Sequence, residues 1–202
     1  MKFFSEKRAE HFLEKNGFVI VDSYYVRSKR NVKRALKVIG FPCVMKVAGR
    51  KIVHKANLGG VKINIKTYSQ ALSEFSILKS IKDSEGVIFQ KIAKGNEFIL
   101  GIKKATEFGH VIVFGVGGSG VEFKKDFAFR ICPVSNKEIL EMIRETKIGK
   151  KLSEKNIKSL KENISKLNYL VEKYPEISEL DINPFFLDKG IGKVVDARIV
   201  WE

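Results

Sequence analysis

The sequence predicts a mixed α/β (α+β) protein. Three observations carry that prediction. Helix-like and strand-like periods alternate over the first 92 residues, short alternating strands follow from 97 to 131, and two amphipathic helices precede a strand pair at the end. With 202 residues and 44% apolar residues the chain can fill a core, as one domain or as two small lobes. The change of strand pattern places the expected boundary between residues 1–92 and 93–202.

Ser5 can cap a helix that runs to Asn16, with Ala9, Phe12 and Leu13 on one face and Gly17 at its stop. FVIV at 18–21 then reads as a buried strand. A second helix starts at Ser28, carries Val32, Leu36 and Ile39 in register, and ends at Gly40 and Pro42; CVMKV at 43–47 follows as a strand. Residues 49–60 hold three glycines and read as a loop, while VKINI at 61–65 alternates as a strand should. The spacing of Ala71, Leu72, Phe75, Leu78 and Ile81 predicts a helix from Ser69 to Lys82, followed by strand 86–92.

In the second half, 97–104, 110–116, 121–125 and 127–131 are successive strand-like runs separated by turn residues, the pattern of an antiparallel sheet. Ser135 and Glu138 form a capping box ahead of Ile139, Leu140, Met142 and Ile143, and Ile157, Leu160, Ile164, Leu167 and Val171 mark a longer helix. Strands 177–187 and 193–201 close the chain, joined by Asp188-Lys189-Gly190 as a hairpin turn.

The net charge of +15 favours polyanionic partners: nucleic acid, an acidic membrane surface, or a phosphate-rich small molecule. Thirty of the 38 basic residues are Lys, spread along the chain and mixed with Glu on most helical stretches, which reads as a solvated surface. No helix-turn-helix, RRM signature or zinc finger can be traced, so nucleic acid binding is not the expected main function. Cys43 and Cys132 stand far apart with no zinc-ligand spacing, which excludes a disulfide framework and a zinc ribbon. No run reaches the roughly 20 apolar residues of a spanning helix, and MKFFSEKRAEHF lacks an apolar stretch of signal-peptide length. A protein of the reducing cytoplasm, away from membranes, is expected.

GVGGSG at 115–120 has the G-x-G-x-x-G spacing, but the period-two stretch behind it leaves no helix whose N-terminus could receive a pyrophosphate. It is either a flexible turn or a strand connection beside a nucleotide. No Walker sequence, G-x-S-x-G or Cys–His signature occurs. Lys46 ends an apolar strand, as a surface terminus or as a charge aimed into a cleft. Asp181, Asn183 and Asp196 share a face in an antiparallel hairpin, either as turn chemistry or as ligands for a magnesium ion that keeps several waters. His54, in the glycine-bearing loop beside Lys55, is surface decoration or a phosphoryl acceptor supported by neighbouring cations and backbone N–H groups.

Taken in order, FPCVMK (41–46), IVHKANLGGVKINI (52–65), GVIFQKI (86–92), the stretch 96–133, ELDINPFFLDKG (179–190) and KVVDARIV (193–200) resemble the ATP-grasp subunit of ADP-forming acetyl-CoA (acyl-CoA) synthetases. They resemble the beta subunit of succinyl-CoA synthetase more distantly. The resemblance implies an ATP-grasp fold whose two lobes clasp a nucleotide, with a hinge near residue 92. It implies Lys46 on the nucleotide phosphates, the backbone of Gln90, Lys91 and Ile92 on the adenine, Glu97 on the ribose or nucleotide, and Arg130 as a phosphate contact. It further implies Asn183 and Asp196 as Mg²⁺ ligands with Asp181 as a nearby acid, and His54 as the histidine that relays phosphate to ADP. Lys91 departs from the acidic residue common at that hinge, and the segment 146–156 is shorter than the family's usual connection. The implied reaction, acyl-CoA + ADP + phosphate ⇌ acid + CoA + ATP, needs a CoA-binding ligase (alpha) subunit in trans. A carboxylate–amine ligase would need ATP and Mg²⁺ but not His54, and a basic binding protein on a degenerate scaffold would need neither.

Overall fold

A computed structural model describes residues 2–52, 55–118 and 126–202. The chain divides into two compact units, Val21–Ala93 and, from two separate segments, Met1–Ile20 with Lys94–Glu202.

The smaller unit is a four-stranded antiparallel sheet in the order β2-β5-β3-β4, built from β2 (Ser23–Val26), β3 (Cys43–Ala48), β4 (Val61–Ile65) and β5 (Gly86–Lys91). Its helices are α2 (Val32–Ile39), entered through a 3-10 turn at Lys29–Asn31, and α3 (Tyr68–Ser80). Val32, Ala35, Leu36 and Ile39 recur at helical spacing and are buried with Cys43, Met45, Val47, Phe75, Leu78, Val87 and Phe89 in one core. Thr67 caps α3, its hydroxyl accepting the Gln70 N–H at 3.2 Å.

The larger unit is a seven-stranded antiparallel sheet in the order β1-β11-β9-β6-β7-β8, with β10 also on β9. Its strands are β1 (Lys2–Phe3), β6 (Asn96–Ala105), β7 (Gly109–Val116), β8 (Phe127–Ile131), β9 (Ile177–Asp188), β10 (Ile191–Val194) and β11 (Ala197–Trp201). Helices α1 (Glu6–Lys15), α4 (Asn136–Glu145) and α5 (Glu154–Lys173) bury Ala9, Leu13, Ile139, Met142, Ile164 and Leu167 with Phe98, Leu100, Ile112 and Ile182 of the sheet. The capping box of α4 forms as its spacing predicts, with Glu138 N–H on Ser135 Oγ at 3.2 Å and Ser135 N–H on Glu138 Oε2 at 2.8 Å. Ser135→Ala is expected to destabilise the fold by about 1 kcal/mol and lower the melting point by roughly 2–4 °C, measured by thermal unfolding.

Three features differ from the sequence expectation. Residues up to Ile20 belong with the C-terminal segment, where the boundary at 92 had placed them with the first lobe. The reason is pairing across the whole chain: β1 lies on β11, and the Trp201 ring stacks on Phe4 at 5.6 Å and meets Phe12 at 5.8 Å. The run FVIV forms no strand beyond a single bridge between Ile20 and Val194; the strand is SYYV just after it, paired on β5. The stretch 193–201 is two strands, interrupted at Val195 and Asp196. The hairpin between β9 and β10 turns at Lys189 (φ +49°) and Gly190 (φ +82°), both left-handed as a two-residue turn between twisted strands requires.

Candidate functional site

In the larger unit the site is assembled by register. Phe98 and Leu100 of β6 face the helices, so Glu97 projects from the other face of the sheet. Along β9, Leu180 and Ile182 are buried in the core, which puts Asp181 and Asn183 on that same outer face. Asp181 stands opposite Gly101 and Arg198 on the neighbouring strands. Asn183 donates its N–H to Asp196 O at 3.2 Å, so Asp196, in the break between β10 and β11, sits across from it. All four side chains are half-buried.

The glycine-rich connection joins this group. Gly117 donates its N–H to Glu97 O at 2.9 Å, and Gly118 donates its N–H to the Asn183 side-chain oxygen at 3.0 Å. Gly118 has φ +86°, and a Cβ there would lie 1.8 Å from Glu97 Oε2. A side chain at 118 is therefore opposed by the backbone conformation and would displace the Glu97 carboxylate from its present position. Of the two sequence readings of GVGGSG, the geometry of its first four residues favours the structural connection at a polar site over a loose turn. The link from Gly118 to Glu97 and Asn183 was not legible in the sequence, because it depends on the joint register of β6, β7 and β9.

Arg130 requires a correction. It pairs in register with Ile112, a residue of the helix-side core, and so lies on the opposite face of the sheet from Glu97 and Asn183. Its guanidinium makes a forked pair with Glu145 of α4 and also donates to Phe129 O. That pairing holds the Glu145 carboxyl below the ordinary carboxylate range and raises Arg130. Arg130 ties β8 to α4 and is assigned no phosphate contact.

In the smaller unit, Met45 and Val47 face the helices, so Lys46 lies on the other face of β3, 5% exposed and opposite Ile88. Gln90, 1% exposed, pairs with Val44 and shares that face. Lys91 is tied to Asp22 twice, by its N–H to the carbonyl at 3.0 Å and by its ammonium to the carboxylate at 2.6 Å. Ile92 is exposed just beyond the end of β5. His54 lies outside the described residues, as does 121–125. The loop before and after His54 is closely held: a Cβ on Gly49 would meet Asp83 O at 2.2 Å, and Gly60 bonds both Lys55 O and Val47 N–H at 2.8 Å. Burial pushes the free thiols of Cys43 and Cys132 up to about 11, which suits packing residues and not nucleophiles.

Among the described residues, no three His, Cys, Asp or Glu side chains gather as a metal cluster. The donor set of one amide and one or two carboxylates still fits Mg²⁺, which usually takes few protein ligands and completes its shell with phosphate oxygens and water.

Residues 2–200 match the ATP-grasp domain family, to which the chain belongs, and two antiparallel α/β units with an acidic and amide-bearing sheet face accord with it. Within it, the chain is similar throughout to ADP-forming acetate–CoA ligases. It is 36% identical to the acetate–CoA ligase [ADP-forming] I subunit beta of Pyrococcus furiosus, over 96% of this chain and 90% of that one. It is 40% identical to acetate–CoA ligase [ADP-forming] II of Archaeoglobus fulgidus over 96% of its length, but spans only 30% of that longer protein. Among solved structures, the dinucleotide forming acetyl-coenzyme A synthetase 1 of Ca. Korarchaeum cryptofilum superposes with a TM-score of 0.90 at 29% identity, covering 100% of this chain and 94% of that one, in a complex with coenzyme A and Ca-AMPCP. The same protein with coenzyme A and Mg-AMPPCP, its phosphohistidine segment pointing towards the nucleotide binding site, matches with a TM-score of 0.80 at 28% identity over 100% and 93% of the two chains.

Proposed function

We propose that the chain is the nucleotide-binding subunit of a cytoplasmic ADP-forming acid–CoA ligase, working with a CoA-binding alpha subunit. The observation that carries this reading is the grouping of Glu97 and Asn183 on one sheet face against Gly118, with Asp196 across from Asn183, in a chain matched over 96% of its length by a beta subunit of such a ligase. The complex of the Korarchaeum relative with Mg-AMPPCP supports ATP, ADP and Mg²⁺ as its ligands. No helix among the described residues is long and apolar enough to cross a membrane.

Lys46 contacts the nucleotide phosphates, the backbone of Gln90 and Ile92 holds the adenine, and Glu97 binds the ribose or another part of the nucleotide. Lys91 contributes through its carbonyl, since its N–H and ammonium are taken by Asp22. Asn183 and Asp196 hold the Mg²⁺, with Asp181 beside them; the ion supplies charge neutralisation on the phosphates. The His54 imidazole attacks phosphorus of an acyl phosphate formed on the partner; the N–P bond forms as the P–O bond breaks, and the carboxylate leaves. A terminal oxygen of ADP then attacks the same phosphorus, the N–P bond breaks, and ATP leaves with His54 regenerated. Such a transfer rests on positioning and electrostatics, to which the Lys46 ammonium, the Gly118 N–H and the magnesium ion would contribute.

Ligand linkage tests the nucleotide site without the partner. At a hundredfold excess over Kd, ADP with Mg²⁺ should stabilise the chain by about 2.7 kcal/mol. For a chain of this size that is a rise of roughly 5–10 °C in melting point. ADP without Mg²⁺ should give a smaller rise. No shift with either nucleotide would contradict the reading.

A further inference from the structure

The charge of this protein is unevenly placed. Of the net +15, the unit Val21–Ala93 carries +11, and residues 23–73 hold twelve Lys and Arg without one Asp or Glu. Mixing of Lys with Glu, which describes α5, fails at α2. Arg27, Lys29, Arg30, Lys33, Arg34 and Lys37 are all exposed, and none joins a carboxylate in the salt bridges among the described residues. Their only described side-chain partners are the Ser76 hydroxyl, which accepts from Lys29 at 3.2 Å, and the Tyr25 ring, 5.6 Å from the Arg27 guanidinium.

On α2 the buried positions are Val32, Ala35, Leu36 and Ile39, so Lys33, Arg34 and Lys37 fall on the opposite face, with Arg30 in the 3-10 turn just ahead of them. Like charges at these spacings repel, and cations in the first turn oppose the helix dipole. The helix has no acidic residue in its first turn to offset these cations, which leaves the face open to an external polyanion.

We propose that this face of α2 is a docking surface for the phosphate backbone of duplex DNA, bound without reading its sequence. Three alternatives fit less well. A protein partner would need apolar anchors at the centre of the contact, where this face has cations and only Val38 at its border. A membrane surface attracts the same cations, but this face offers only Val38 to insert and hold there. Single strands would call for exposed aromatic rings on which bases stack. Backbone binding to a duplex needs only a row of cations, and release of counterions from so dense a charge drives it. The proposal stands apart from the ligase reading and uses none of its residues.

The test is fluorescence anisotropy with a labelled mixed-sequence duplex of about 20 base pairs, read between about 50 and 200 mM salt. The quadruple variant Arg30→Gln, Lys33→Gln, Arg34→Gln, Lys37→Gln should bind at least roughly tenfold more weakly, with a salt slope flatter by about three to four units. The control Lys137→Gln, Lys150→Gln, Lys151→Gln, Lys158→Gln removes four exposed cations of the other unit and should change binding less than about twofold. Should the quadruple variant fold poorly, the double reversal Lys33→Glu, Lys37→Glu repeats the comparison. Equal losses in variant and control, no duplex binding by the unaltered protein, or tighter binding to single strands, polyglutamate or anionic vesicles would overturn the proposal.

Discussion

Replacing His54 with Ala is expected to abolish acyl-CoA-dependent ATP formation when the chain is combined with the proposed CoA-binding partner, a loss of more than about a thousandfold. In the proposed relay the imidazole accepts and returns the phosphoryl unit, and Ala offers no nucleophile. Affinity for ADP with Mg²⁺ should stay within about twofold, because ground-state binding rests on other residues. Full activity of His54→Ala with the partner would favour a carboxylate–amine ligase. A variant that loses activity and nucleotide affinity together would point to a structural part for the loop.

The second large effect is expected at Gly118, measured as the Mg²⁺ dependence of nucleotide binding. Gly118→Ala places a methyl group 1.8 Å from the present position of Glu97 Oε2 and asks a non-glycine residue to hold φ +86°. The Glu97 carboxylate must swing aside, and the strain of φ +86° on a non-glycine residue is expected to disturb the Gly118 N–H bond to the Asn183 amide. Groups that orient a metal ligand typically matter by about 10–100-fold, so Mg²⁺ affinity in the nucleotide complex should fall by that factor. Gly109→Ala is the matched control. Its φ is +72° but open space surrounds the new methyl group, so it carries the backbone penalty of about 1–2 kcal/mol alone. Equal effects of the two variants on Mg²⁺ affinity would contradict a positioning role for Gly118, whereas Asn183→Ala should reproduce the Gly118→Ala defect.

Much of the fold is legible in the sequence because its elements obey local rules. The 3.6-residue spacing of Ile157, Leu160, Ile164 and Leu167 marks α5, the Ser135–Glu138 pair marks the start of α4, and Lys189-Gly190 marks the last hairpin. The parts that escaped are non-local. Pairing of β1 with β11 joins the two ends of the chain, and nothing in residues 2–20 alone announces it. FVIV was the more apolar run, yet its apolar character serves burial, with Phe18 in the larger core, while the less apolar SYYV takes the ladder on β5.

The site divides in the same way. Period two along β9 placed Asp181 and Asn183 on one face, and the hairpin brought Asp196 across from Asn183. Arg130 was implied as a phosphate contact by the resemblance alone, whereas its face is fixed by the pairing of β7 with β8 and leads to Glu145. The grouping of Glu97 with Asn183 through Gly118 needed three strands in register before it could be read.

The most direct test of the phosphoryl relay needs only this chain, Mg²⁺ and ATP labelled at the γ-phosphate. After incubation, the protein should carry label that is stable to base, released by acid and mapped to His54, and excess ADP should return it to ATP. Nucleotide bound tightly with no label on His54, or label on another residue that persists in His54→Ala, would contradict the relay.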